Sequence, residues 1–226
     1  MTRKTFAVRI KPGRKDEFKK RFGDVPASLI QALDRLGARN FSVWSVENLA
    51  FGYLEMPDAT AGETAGGTAG ETAGMENDFF DRLQEFLRDC CDFIGLPGTM
   101  SMRLMYEDIG MIREDKSKIR HRVFVTRLKP GTAEEYKRRH DELVASRDGK
   151  VNPGPESNFT IWNATDYIFG YCELDRAMEH EPTEEEKKAT VAWETRGLEI
   201  MDWVTDDVDW LTGLKHEKIQ KLFAYK

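Results

Sequence analysis

Tyr136 and His140 stand four residues apart in Glu-Glu-Tyr-Lys-Arg-Arg-His. On a helix that spacing sets both side chains on one face. Leu143 and Val144 continue the face, so it is expected to point toward a sheet rather than solvent. A half-buried imidazole with a phenol one turn away can give and take protons near neutral pH. The same spacing also fits a hydrogen-bonded core histidine beside an ordinary amphipathic aromatic. The chain holds its own control, because 118 residues upstream the matching positions are Phe18 and Phe22.

That shift runs without a gap from Phe6/Phe124 to Glu55/Glu173, and 17 of the 50 pairs are identical. Ordinary composition gives only about 3. Lys-Pro-Gly at 11–13 and 129–131, Asn40/Asn158, Trp44/Trp162 and Phe-Gly-Tyr at 51–53 and 169–171 are among them. The chain therefore reads as two repeats, 1–106 and 121–226, joined by the charged linker 107–120.

Each repeat must position the helix face just described. Phe6, Val8 and Ile10 alternate with polar residues, as Phe124–Leu128 does in the second copy, so both read as strands. Lys-Pro-Gly turns the chain, and a helix follows, with Thr132 and Glu135 at capping-box spacing. In the first copy this helix is expected to run through Ser28–Leu36 to a C-cap at Gly37. In the second, the glycines and prolines of 149–155 should end it early and leave a loop. Strands Asn40–Ser45 and Leu49–Met56 come next, matched by Asn158–Asn163 and Tyr167–Leu174. A second helix, Asn77–Phe93 or Glu184–Thr205, precedes a closing strand, Met102–Tyr106 or Gln220–Tyr225. The order β-α-β-β-α-β, twice, is the ferredoxin-like plan of the α+β class. Two such units in one chain can bury their open sheet faces as an intramolecular pseudo-dimer. The fourfold Thr-Ala-Gly repeat within 59–74 has no large apolar side chain and is expected to be a flexible insertion.

Composition narrows the function classes. With 40% hydrophobic and 11% aromatic residues the chain can build cores. A net charge of −6 argues against a nucleic-acid footprint. No apolar run suits a membrane span and no signal-peptide core opens the chain, so a cytoplasmic location is expected. Cys90, Cys91 and Cys172 lack metal-ligand spacing and read as reduced thiols. His121, His180 and His216 read as surface residues, and Glu55/Glu173 as a charged rim or, for Glu173, a group facing a site. Trp44/Trp162 and Tyr53/Tyr171 suit either core or ligand stacking, and Arg9/Arg127 an inter-sheet contact.

The strand, the Pro-containing turn, the Tyr-x-x-x-His helix, Asn-Phe-x-Ile-Trp and Phe-Gly-Tyr-x-Glu together resemble the L-rhamnose mutarotase family. The resemblance covers both repeats except the Thr-Ala-Gly tract, the linker and the last few residues. It implies a dimeric α+β-barrel of ferredoxin-like units, here within one chain. It also implies interconversion of the α and β anomers of a 6-deoxy sugar without metal or organic cofactor. By the resemblance His140 is the catalytic proton donor and Tyr136 binds sugar. A family tyrosine falls at Phe159, which keeps the ring and loses the hydroxyl. The family's adjacent tryptophans on the second helix fall, by the spacing to Met201, at Gly197-Leu198, with Phe79-Phe80 as the first-copy equivalent. Trp193 and Trp203, read as lying on the same helix, are candidates to replace them, and Trp162 is a further candidate sugar contact. The expected partner is a small-molecule sugar at one site in repeat 2. A non-catalytic sugar-binding scaffold and another cofactor-independent enzyme of the same fold are the alternatives.

Overall fold

The computed structural model describes residues 1–58, 69–96, 99–151, 153–205 and 213–226, and they divide into two α+β units. Unit 1 is Met1–Ser101 with Gln220–Lys226. It contains β1 (Thr2–Ile10), α1 (Lys15–Gly23), α2 (Ala27–Arg35), β2 (Arg39–Val46), β3 (Leu49–Met56), α3 (Ala69–Leu87) and β4 (Cys91–Ile94). Unit 2 is Met102–Ile219. It contains β5 (Arg103–Gly110), β6 (Ile119–Leu128), α4 (Ala133–Ser146), β7 (Glu156–Ala164), β8 (Tyr167–Asp175), α5 (Glu184–Gly197) and β9 (Met201–Thr205). The last strand, β10 (Gln220–Tyr225), belongs to unit 1.

The sheet orders are β10-β2-β3-β1-β4 and β5-β7-β8-β6-β9, with antiparallel neighbours. Four strands of each follow the expected ferredoxin-like order. The fifth differs from expectation. Met102–Tyr106 does not close repeat 1 but starts β5, which pairs β7 of unit 2. Gln220–Tyr225 pairs β2 of unit 1. The strands that close each repeat are Cys91–Ile94 and Met201–Thr205, which the helical reading had absorbed. Both follow their helix after a three-residue turn, too short a break to interrupt an apolar pattern. The expected linker 107–120 shrinks accordingly, since β5 continues to Gly110 and β6 begins at Ile119.

Three further corrections concern helices. The long first helix of repeat 1 breaks into α1 and α2 at Pro26, which has no N–H to continue the ladder. Helix α3 starts at Ala69, inside the Thr-Ala-Gly tract; residues 59–68 of that tract lie outside the described residues. Thr132 makes no side-chain cap. Its hydroxyl lies 2.8 Å from the carbonyl oxygens of Lys129 and Ile200, while Glu135 pairs with Arg138 and Arg139. The capping box forms on α5, between Thr183 and Glu186.

Several identical residues of the repeats have the same task. A Cβ on Gly52 would lie 1.9 Å from the Phe6 ring, and one on Gly170 2.2 Å from Phe124. Glycine thus lets each phenylalanine lie across the neighbouring strand. Asn40 and Asn158 have φ of 51° and 53° where β2 and β7 shift register against β3 and β8. Asparagine tolerates this left-handed conformation. Both amides donate to buried carboxylates, Asn40 to Glu55 at 3.0 Å and Asn158 to Glu173 at 3.3 Å. Tyr53 and Tyr171 hydroxyls donate to the same oxygens, and Lys116 donates to Glu173 at 2.6 Å. These glutamates are therefore buried structural anchors and not a charged rim. Arg9 and Arg127 are exposed, with Arg127 on Asp166. His121 is half-buried, its ring 5.4 Å from Tyr171.

Candidate functional site

A cavity of about 550 Å³ lies within unit 2, between the sheet and helices α4 and α5. Helix α4 contributes Tyr136, His140 and Leu143, spaced four and three apart along one stripe, and Arg147, just past its end, continues the stripe. Helix α5 contributes Ala189, Thr190, Trp193 and Glu194. From the sheet come Tyr106 (β5), Arg122 and Phe124 (β6), Phe159 (β7) and Trp203 (β9).

Of the residues expected to form a site, His140, Tyr136, Phe159 and Trp193 all line this cavity. Trp162 does not. Its neighbour Ile161 faces the cavity, and strand alternation sends Trp162 to the other side of the sheet. Trp203 lines the cavity from a strand, not from the helix on which it was expected. Val144 is 44% exposed, so the buried stripe of α4 is narrower than its sequence suggested.

His140 is 7% exposed and surrounded by rings. Tyr136 stacks on it at 4.3 Å between centroids, while Tyr106 and Trp193 present edges at 5.3 and 5.4 Å. Burial holds its pKa below the usual histidine value. Nδ1 lies 2.9 Å from the Tyr136 carbonyl oxygen. A carbonyl only accepts, so Nδ1 carries the hydrogen, and the neutral ring keeps its lone pair at Nε2. The imidazole is thus set as a proton acceptor first, although the resemblance suggested a donor.

Burial pushes the Tyr106 phenol up to about 12, so it stays protonated at neutral pH. Arg147 spans the rim there, paired with Asp108 and with its guanidinium 5.8 Å from the Tyr106 ring centroid. Arg122 pairs with Glu156 at 3.3 Å. Sequence reasoning missed Tyr106, Arg122, Arg147, Glu156 and Glu194. A signal existed for two of them, since the 118-residue shift sets Arg147 against Leu29 and Glu156 against Ala38, both buried in unit 1.

Unit 1 shows why the cavity exists. The equivalence of the repeats changes after the Thr-Ala-Gly tract. Lys11 N–H donates to Cys90 O and Lys129 N–H to Ile200 O, and Arg21 and Arg139 reach Phe86 O and Arg196 O. Both pairings give a shift of 110 there, not 118. Phe79-Phe80 therefore correspond to Ala189-Thr190, which corrects the placement at Gly197-Leu198, and Leu83 corresponds to Trp193. In unit 1 the rings of Phe18, Phe22, Phe41, Phe79 and Phe223 fill the helix side of the sheet, all buried or packed against buried core. In unit 2 Ala189 is too small to replace Phe79. Helix α2, which lies against α3 in unit 1, also has no counterpart, because Arg147–Pro155 is loop apart from residue 152, which lies outside the described residues. Three cysteines are buried and free, and burial raises the pKa of each, so none is an activated nucleophile. Among the described residues no cluster of His, Cys, Asp or Glu could hold a metal, and no helix is long and apolar enough to cross a membrane.

The family described as L-rhamnose mutarotase matches residues 3–86 and 121–224, one stretch in each repeat. No curated protein matches the chain significantly. A crystal structure from Fusobacterium nucleatum subsp. nucleatum ATCC 25586, provisionally described as a monooxygenase, aligns with 99% of this chain and 92% of its own. It shares 9% identity, and the TM-score is 0.44.

Proposed function

The chain belongs to the L-rhamnose mutarotase family, and on that premise we propose that unit 2 interconverts the α and β anomers of a 6-deoxy sugar such as L-rhamnose, using His140. The observation that carries this reading is the His140 ring itself: neutral, locked through Nδ1–H to Tyr136, and lining a cavity with an aromatic floor and a polar rim. Nε2 takes the proton of the anomeric hydroxyl. The bond from the anomeric carbon to the ring oxygen breaks, the carbonyl forms, and the ring oxygen takes the proton that Nε2 has just accepted. Rotation about the bond beside the carbonyl and reclosure from the other face, with the proton movements reversed, yields the other anomer. The cycle returns every proton it borrows, so it calls for no oxidant, reductant or organic cofactor. Tyr136 stiffens the imidazole by stacking, and the surrounding rings offer faces to the sugar's C–H groups.

A non-catalytic sugar-binding role is the second reading, favoured by Ala189-Thr190 standing where the first repeat has an aromatic pair. Exchange NMR of L-rhamnose and L-fucose anomers distinguishes the two. Catalysis requires faster exchange than buffer and its loss in His140→Ala; binding alone leaves buffer exchange in both.

A further inference from the structure

Four aromatic rings cross the cavity floor in a row, Tyr106, Phe159, Phe124 and Trp203, with successive centroids 5.2, 6.3 and 5.8 Å apart. Unit 1 has the same row, Phe223, Phe41, Phe6 and Phe93, at 5.7, 6.5 and 6.0 Å. The middle rings are phenylalanine in both. Only the end rings differ, and in unit 2 each gains a hydrogen-bond donor: a phenol hydroxyl at Tyr106 and an indole N–H at Trp203. Both donor atoms are buried, and among the described residues neither hydrogen has an acceptor: Arg147, beside the Tyr106 oxygen, can only donate to it. An unpaired buried donor is costly, and natural structures satisfy nearly all of them. Two such donors at the two ends of one cavity, matched by plain phenylalanines in unit 1, where Phe22 stands in place of His140 among packed rings, indicate that a ligand completes them.

The spacing constrains that ligand. Tyr106 lies on β5 and Trp203 on β9, the two edges of a five-stranded sheet. Strands are ~4.8 Å apart, so the edges of such a sheet are separated by several times the ~5 Å width of one pyranose chair. His140 stands at the Tyr106 end, 5.3 Å from that ring. A single sugar ring reacting at His140 therefore leaves the Trp203 end unfilled. We infer that the cavity takes a reducing disaccharide, its reacting ring between His140 and Tyr106 and its second ring on Phe124 and Trp203. This rests on the reading of the cavity as a sugar site.

The test compares L-rhamnose with glucosyl-β-(1→3)-L-rhamnose, measuring anomer exchange by NMR and binding by tryptophan fluorescence, in wild type, Tyr106→Phe and Trp203→Phe. Tyr106→Phe keeps the ring and deletes the hydroxyl, Trp203→Phe keeps an aromatic ring, smaller than the indole, and deletes the N–H, and thermal unfolding confirms that both fold. The expected result is a kcat/KM at least tenfold higher for the disaccharide. Trp203→Phe should reduce that preference about fivefold, the loss of one neutral hydrogen bond. Tyr106→Phe should weaken both sugars. Equal kcat/KM for the two sugars, or a Trp203→Phe effect of the same size on both, overturns the disaccharide inference while His140-dependent exchange of L-rhamnose leaves the proposed activity standing. Disaccharide binding that depends on Trp203 with no exchange of either sugar does the reverse.

Discussion

Replacing His140 by phenylalanine recreates the arrangement that unit 1 already has at Phe22. That residue is 4% exposed, with ring contacts at 5.2 Å to Phe18 and 5.6 Å to Phe86. His140 is 7% exposed in the equivalent place, so the new ring has room without overpacking. A buried phenylalanine contributes about 1.5–3 kcal/mol relative to an exposed one, more than an imidazole does. Loss of the Nδ1–H bond removes about 1 kcal/mol. The net at pH 7 is a stability equal to wild type or about 1 kcal/mol higher, up to 2–4 °C in Tm for a chain of this size. The pH dependence is sharper. The folded pKa of His140 lies below its unfolded value of about 6.5. Between those two values the unfolded chain binds a proton that the folded chain refuses. Wild type is thus fully stable above about pH 6.5 and loses up to 1.36 kcal/mol per pH unit as pH falls toward the folded pKa, below which this contribution is lost. His140→Phe lacks that loss. Urea unfolding of both proteins from pH 8 to 5 measures the difference, and His121, His180 and His216, common to both, cancel. Parallel curves would refute the claim that the imidazole is desolvated and neutral.

Gly170→Ala should destabilise unit 2 by about 1–3 kcal/mol, because the new Cβ meets the Phe124 ring at 2.2 Å; denaturant midpoints at constant slope check this. Ala189→Phe, which restores the side chain of Phe79, should keep the fold and cut sugar exchange at least tenfold by filling the cavity, read from circular dichroism and exchange NMR together. Tyr106→Phe should raise the stability of the sugar-free protein by about 1 kcal/mol, read from urea unfolding, since it removes a buried hydroxyl hydrogen that has no acceptor among the described residues.

The repeat, the strands that carry it and the Tyr136–His140 pair were legible because each rests on local spacing. Strand alternation and an i,i+4 helix pair need no knowledge of the rest of the chain. The fourth strands were hidden because Cys91–Ile94 and Met201–Thr205 follow helices so closely that one apolar pattern runs into the next. The exchange of β5 and β10 was hidden for a different reason. Either strand can extend either sheet by the same backbone hydrogen bonds, and which edge it joins is a long-range choice. That one ambiguity concealed one end of the site floor: Tyr106, assigned to repeat 1, had no reason to stand beside His140. The change of shift from 118 to 110 likewise displaced Ala189-Thr190 from the comparison with Phe79-Phe80, and with it the reason for the cavity. The role of His140 depended on a single atom pair, Nδ1 and the Tyr136 carbonyl oxygen, which spacing allows but does not require.

The most direct test of the account is the rate of L-rhamnose anomer exchange at neutral pH for wild type, His140→Ala and Phe22→His. Wild type should exceed buffer, and His140→Ala should fall back by the 10²–10⁴-fold typical of a lost general acid–base group. Phe22→His should add nothing, because packed rings take up the equivalent space in unit 1. Exchange undiminished in His140→Ala, or wild type no faster than buffer, would contradict it.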